Sequence, residues 1–246
     1  MQIEFRADLH IHTCLSPCAE LSMTPLGIVE RAASLGLHLI AVSDHNSAEN
    51  VTAAYNLASG REISLIPGLE ITSLEDVHIL ALFGNVESAM EMQSVVYENL
   101  QPGENDEESC GMQVIVNEHN EVMGFNRRLL IGSTFLSLGK LVELIHGLGG
   151  IAIASHVDRE GYGIIGQLGF IPVDLAIDAV EFSPGVGPEE ARLHYSAYSH
   201  IPWVFSSDAH RIEDIGKKYT RLLMKNPSFE ELRLALRGTG GRKIIC

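Results

Sequence analysis

Short apolar runs rich in β-branched residues alternate along the chain with longer stretches in which apolar residues recur every three or four positions. The first pattern fits strands and the second fits helices with one buried stripe; their alternation predicts an α/β fold of βαβ units around a parallel sheet or barrel. Strands are expected at 3–10, 39–43, 63–66, 77–83, 151–155, 180–183, 203–207 and near 219–224. A helix at 26–35 follows Thr24 and Pro25 and ends at Gly36, and a second at 48–59 ends at Gly60. Others are expected at 88–100, at 138–148 before Gly149 and Gly150, and at 228–237, where Ser228 and Glu231 suggest a capping box.

One connection is too short to be a crossover. Only six residues, 71–76, separate Glu70 from the strand at 77–83, and a parallel return needs a dozen or more. That strand is therefore expected antiparallel to its predecessor, which brings His78 back beside Glu70. Composition changes over 84–135, where the acidic, turn-rich 102–108 precedes two short strands at 113–116 and 121–125. This stretch reads as a hairpin-bearing insertion in an otherwise single barrel domain spanning 1–246.

The chain has 246 residues, of which 46% are hydrophobic and 20% charged, enough for one large core. Lys and Arg number 17 against 32 Asp and Glu, a formal charge of -15. Such a surface repels a polyanion, so no duplex nucleic acid is expected as a partner, while a small phosphorylated substrate stays open because divalent cations reverse the field locally. Cys14, Cys18, Cys110 and Cys246 suggest no disulfide framework. No signal peptide and no membrane span is read, and the cytoplasm is the default compartment. Oligomeric state is left open.

Candidate chemistry gathers at the strand ends. In Asp8-Leu9-His10-Ile11-His12, two histidines at strand spacing share a face and can address one metal ion. Asp44-His45, Glu70 with His78, His156, and Asp208 with His210 fall at the ends of later strands. In an α/β barrel such ends meet at one mouth. Imidazoles and carboxylates together suit zinc, manganese or iron(II), and Glu70 is placed to bridge two cations. Two or three such ions would polarise a phosphoryl group and activate water, so the implied reaction is hydrolysis through a metal-bound hydroxide.

The same residues resemble a known family, the PHP (polymerase and histidinol phosphatase) domain. The match rests on D-x-H-x-H at 8–12, S-D-H at 43–45, G-x-E at 68–70, His78, S-H at 155–156 and S-D-x-H at 207–210. The resemblance implies a distorted seven-stranded (β/α) barrel with a trinuclear metal centre. It assigns His10, His12, Glu70 and Asp208 to one metal, and Glu70, His78 and His156 to a second. His45 and His210 fall to a third, with Cys18 standing where the family more often has His or Asp. A thiolate suits zinc better than manganese, and Glu20 or, less well placed, Cys14 are the alternatives.

Asp8 and Asp44 are expected to anchor ligating histidines rather than to bind metal. Phosphate recognition calls for a cation as well. Arg159 is the foremost candidate and joins Glu70 and Asp208 as a catalytic residue; Arg211 and Arg127 or Arg128 are further choices. The glycines within 159–170 suggest a mobile lid. The expected activity is metal-dependent hydrolysis of a small phosphomonoester or short nucleotide. An amidohydrolase acting on C–N bonds is the alternative, weakened because Lys140, Lys217 and Lys218 lie away from the strand ends where those enzymes place a bridging lysine. A metal-binding module without turnover is the other alternative.

Overall fold

A computed structural model describes residues 1–245. The chain runs β1 (Ile3–Ile11), α1 (Pro25–Ser34), β2 (Leu39–Val42), α2 (Val51–Ala58), β3 (Ser64–Thr72), β4 (His78–Leu82) and α3 (Val86–Asn99). A short α4 (Glu107–Cys110) leads to β5 (Val114–Val116) and β6 (Val122–Phe125), then α5 (Leu138–Gly147), β7 (Ile151–Ala154), α6 (Ile164–Leu168) and β8 (Ala179–Phe182). The remainder is α7 (Pro188–His194), β9 (Trp203–Phe205), β10 (Thr220–Met224), α8 (Phe229–Leu236) and β11 (Lys243–Ile245).

Nine strands form one sheet in the order β11-β10-β1-β2-β3-β4-β7-β8-β9. The sheet curls until Ile11, at the end of β1, bridges in parallel to Ala209 beyond β9, so it is barrel-like and nearly closed. It counts nine strands against the seven implied by the resemblance, because β10 and β11 add antiparallel strands outside β1. As the short connection requires, β4 is antiparallel to β3, with Glu70 opposite Leu80 and Thr72 opposite His78.

Two apolar layers arise from strand alternation. Inside the barrel, Leu39, Ala41, Ile66, Leu80, Leu82, Ile151, Ile153 and Val204 pack together, and α8 closes that end with Phe229, Leu232 and Leu236. Outside, Ile40, Val42, Leu69, Ile79 and Ala152 face α1, α2, α3 and α5. The interior positions turn polar towards the other end: Glu70 follows Ile66 on β3, His78 precedes Leu80 on β4, and Glu181 follows Ala179 on β8. On β1, Phe5, Ala7 and Leu9 belong to the interior and Ile11 to the helix side, with a register shift between Asp8 and Ile11. That irregularity lets His10 and His12 join the mouth.

Local rules hold at most helix ends. Thr24 and Ser137 accept from the backbone N–H groups of Gly27 and Lys140, and Gly36 and Gly149 follow the helices with φ of 65° and 73°. Two expectations need correction. The strand at 63–66 does not stop at Pro67-Gly68 but continues to Thr72; Gly68 is a close-approach site, since a Cβ there would lie 2.8 Å from Leu82 Cδ2 and 3.2 Å from the Val42 carbonyl oxygen. Ser228 caps α8, but Glu231 accepts from Lys225 N and pairs with Arg242 instead of completing the box.

Within 84–135, α3 joins the helix-side layer through Ala89, Met92 and Val96. β5 and β6 pair only with each other. The Asn46 amide pins the loop after β6, donating to the carbonyls of Leu130 and Gly132 at 2.7 Å each, and this places Ile131 over the mouth.

Candidate metal centre

The six expected histidines and two carboxylates converge at the mouth. Glu70 is at their centre, 1% exposed. Its Oε1 lies 3.3 Å from His10 Nε2, 3.0 Å from His78 Nδ1 and 3.2 Å from His156 Nε2; its Oε2 lies 3.4 Å from His12 Nε2 and 3.1 Å from His45 Nδ1. Asp208 Oδ1 lies 3.4 Å and 3.3 Å from Nε2 of His10 and His12 and 3.6 Å from His210 Nδ1. Among the described residues, three groups have donor atoms close enough to share one ion: His10, His12 and Asp208; His45, Glu70 and His78; His12, His45 and His210. The first group lies within the set that the resemblance assigns to one metal. The other two mix its assignments, because His45 stands close to Glu70 and His78 as well as to His12 and His210.

The residues fit divalent cations. His45 Nδ1 and His78 Nδ1 are buried and make no aligned hydrogen bond although each is within 3.1 Å of a Glu70 oxygen. These two ring nitrogens thus lie close to the carboxylate without bonding to it, as ligands of a shared ion would, whereas His156 Nε2 hydrogen-bonds Glu70 Oε1 at 3.2 Å. Burial alone would raise the Glu70 carboxyl, yet the imidazoles of His78 and His10 hold it well below the usual carboxylate range. Burial lowers His78 to about 4, against the pull of Glu70, and leaves its ring neutral and able to ligate.

Cys18 lines the same cavity of about 270 Å³ and is exposed. Burial of its sulfur pushes the thiol up, but hydrogen bonds with His210 and His45 more than offset this and bring it to about 6. The alternatives are directed elsewhere. Glu20 pairs with Arg211 at 3.2 Å on the surface, and Cys14 packs its sulfur 3.7 Å from the Val114 carbonyl, its thiol raised to about 12 by burial and by Asp44.

The groups behind the ligands differ in part from expectation. Asp44 accepts from Thr13 N, Thr13 Oγ1 and Ser16 Oγ at 2.7, 2.7 and 2.6 Å, and Ser16 Oγ is 3.0 Å from His12 Nδ1; it orients His12 through Ser16. Asp8 anchors no histidine. It accepts from Ser207 N and Gly216 N, each at 2.9 Å, and so fixes the loop that carries Asp208. His10 is held by Glu181, whose Oε2 is 2.8 Å from His10 Nδ1 and also accepts from His156 N. Sequence reasoning missed Glu181 and Ser16. The signal for Glu181 was a lone acid on the inward alternation of the apolar strand Ala179–Phe182.

Arg159 lines the cavity and places Nη2 2.6 Å from Asp208 Oδ2. Arg211, Arg127 and Arg128 do not line it, and Arg128 lies over the Tyr97 ring at 4.1 Å. Lys140 and Lys217 form surface pairs with Glu143 and Asp214, and Lys218 reaches the Pro184 carbonyl. His38, His119, His146, His194 and His200 do not line the cavity, and His146 meets Asp178 at 2.8 Å. Two of the glycines of the expected lid serve packing, since a Cβ at Gly163 or Gly166 would collide with the carbonyls of Arg159 and Glu160, whereas one at Gly161 or Gly169 would meet nothing within 4 Å. His156, Tyr162 and Asp208 have positive φ of 28°, 61° and 48°, a conformation that surrounding contacts must maintain. A larger hollow of about 510 Å³ around Trp203 holds none of the ligand candidates.

Comparison with known proteins agrees with this geometry. The PHP domain model matches residues 8–161, more than half of the chain, and the PHP-associated model matches residues 193–239. The 5'-3' exoribonuclease Rnm of Salmonella typhimurium is 33% identical over 79 residues, 31% of this chain and 26% of that protein. The chain spans under a third of the length of the curated relatives it matches. Among solved structures, endonuclease Q from Pyrococcus furiosus superposes with a TM-score of 0.77 at 21% identity, over 98% of this chain and 58% of that one. A Bifidobacterium adolescentis protein provisionally described as a metal-dependent phosphoesterase has a TM-score of 0.59 at 19% identity, covering 95% and 96%.

These findings correct one expectation. Endonuclease Q has also been solved with a 27-mer duplex carrying an abasic lesion at its active site, so this fold is compatible with duplex nucleic acid and the exclusion drawn from net charge does not stand. A whole-chain sum of -15 says little about the field at one mouth, where bound divalent cations would change its sign. No helix among the described residues is long and apolar enough to cross a membrane.

Proposed function

Since the chain belongs to the PHP domain family, we propose that it is a metal-dependent phosphoesterase built as one barrel unit, with Ile131 of the 84–135 segment lying over its mouth. The observation that carries this reading is the buried Glu70 carboxylate, which sits among five imidazoles, with Oε1 near His10, His78 and His156 and Oε2 near His12 and His45, as a carboxylate shared between cations would. His10, His12, Glu70 and Asp208 would hold one ion, Glu70, His78 and His156 a second, and His45, His210 and Cys18 a third. Bound zinc, manganese or iron would polarise a phosphoryl oxygen and acidify a water.

The chain's own groups do the rest. Glu181 and the Asp44–Ser16 pair hold His10 and His12 in the orientation and tautomer that ligation needs. Arg159 leaves Asp208 to bind a phosphate oxygen when one enters, since its guanidinium is partly exposed and reaches across the cavity. Both phosphomonoesters and the phosphodiesters of nucleic acid suit this chemistry. The absence of a lysine among the cavity-lining side chains disfavours the amidohydrolase alternative.

Protein loaded in turn with manganese, zinc and iron(II), and assayed on phosphomonoesters, single strands and duplexes, tests the reading. Turnover that falls at least about 10²-fold in Asp208→Ala is expected. Bound metal with no turnover on any member of the panel would instead favour the non-catalytic module.

A further inference from the structure

We propose that Tyr162 is a stacking platform for a nucleobase carried by the substrate, an inference that rests on the phosphoesterase reading and narrows it to base-bearing phosphoesters. Tyr162 lines the cavity beside the ligand candidates, and its ring lies on His78 with centroids 4.4 Å apart and planes 20° from parallel. One face of the phenol is therefore taken. The residue is nevertheless 44% exposed and lines the cavity, so the ring keeps surface a ligand can meet there. Apart from Tyr162 and Ile131, the cavity is lined by histidines, acids, Arg159 and Cys18. These two side chains are the apolar surface a planar ring can use.

Holding His78 in place does not account for this arrangement. A residue kept only to cover an imidazole would gain by burial, and it would not need φ of 61°, which a bulky L residue adopts at a cost of roughly 1–3 kcal/mol. The surroundings enforce that conformation. The Tyr162 carbonyl accepts from His78 N at 2.9 Å, and Gly163 next to it sits where no Cβ fits. The loop therefore fixes an exposed aromatic ring directly against His78, which is proposed to share a metal ion with Glu70. A phosphoryl group over Glu70 would carry its base within reach of that ring, and base–aromatic stacking tolerates any of the bases.

The test compares adenosine 5'-monophosphate with ribose 5-phosphate, which differ by the base, on metal-loaded protein. The variants are Tyr162→Phe, which keeps the ring, and Tyr162→Asn, which removes it while tolerating positive φ. Wild type and Tyr162→Phe are expected to prefer the nucleotide in kcat/KM, and Tyr162→Asn to lose about 5- to 150-fold on the nucleotide alone, mainly in KM. An equal loss on both substrates, or no loss, would overturn the platform, since a tyrosine that only steadied His78 would affect both. Adenosine has no phosphate to hydrolyse, and its binding, followed by NMR, separates the two readings. Adenosine bound by wild type and lost in Tyr162→Asn, with no phosphoester of the wider panel turned over, would retain the platform and reject the phosphoesterase; adenosine binding unchanged by Tyr162→Asn would reject the platform whatever the turnover.

Discussion

The two ends of the barrel interior are made by the same strands and obey the same alternation, yet they are opposite in chemistry. At one end Leu80, Leu82, Ile151, Ile153 and Val204 pack beneath α8. At the other, Glu70, His78 and Glu181 occupy the next inward positions and are almost as fully buried, at 1%, 6% and 1% exposure. Burial of apolar groups stabilises the fold, whereas burial of acids and imidazoles costs free energy that only partners or metals offset. One end specifies the barrel and the other uses it, so changes at the two ends should have separable effects.

The largest expected effect is at the apolar end. Leu80→Ala should lower unfolding free energy by about 2–5 kcal/mol in denaturant titration while leaving the metal content per chain unchanged. A loss of metal in step with stability would show that the two ends are coupled. At the polar end, Glu70→Gln removes the bridging charge and should reduce turnover by at least about 10²–10³-fold with a thermal midpoint no lower than that of the metal-free parent. Glu181→Gln should weaken metal affinity by about 10–100-fold in a competition titration, because His10 loses the carboxylate behind it.

The smallest effect concerns Cys18. In metal-free protein its thiolate should form as pH rises through about 6, so alkylation mapped by peptide should be half-maximal near that pH, well below the ~8.5 of an ordinary thiol. Cys14, pushed up to about 12, should stay unreactive across the same range. Metal loading should protect Cys18 if its sulfur completes the third ion's ligands, and Cys18→Ser should then cost one ion per chain. Unchanged alkylation in loaded protein would remove Cys18 from the ligand set.

Much of the site was legible because each of its main members obeys a rule that is local in the chain. His10 and His12 are two residues apart on a strand, and the six residues after Glu70 are too few for a crossover, which placed His78 beside it. The partners behind them were not legible for the same reason inverted. Glu181 meets His10 across 171 residues of sequence, and Asp8 reaches Gly216 across 208. Asp8 has the spacing of a histidine anchor, and only the folded loop shows that backbone N–H groups claim its oxygens. A strand expected at 63–66 ends before Pro67-Gly68 because a strand interior seldom carries either residue, and the close approach of β2 and β4 that makes glycine necessary there is invisible along the chain.

The sequence by itself determined the alternating strands and helices, the antiparallel β4 and the identities of the residues that gather at the mouth, because periodicity and connection length act over a few residues. The tertiary structure decided that the sheet has nine strands and nearly closes through Ile11 and Ala209, that Glu181 and Ser16 stand behind His10 and His12, that Arg159 meets Asp208, and that Tyr162 is held open over His78. Those are contacts between distant segments, fixed by how closed sheets and loops pack and not by any spacing the chain displays.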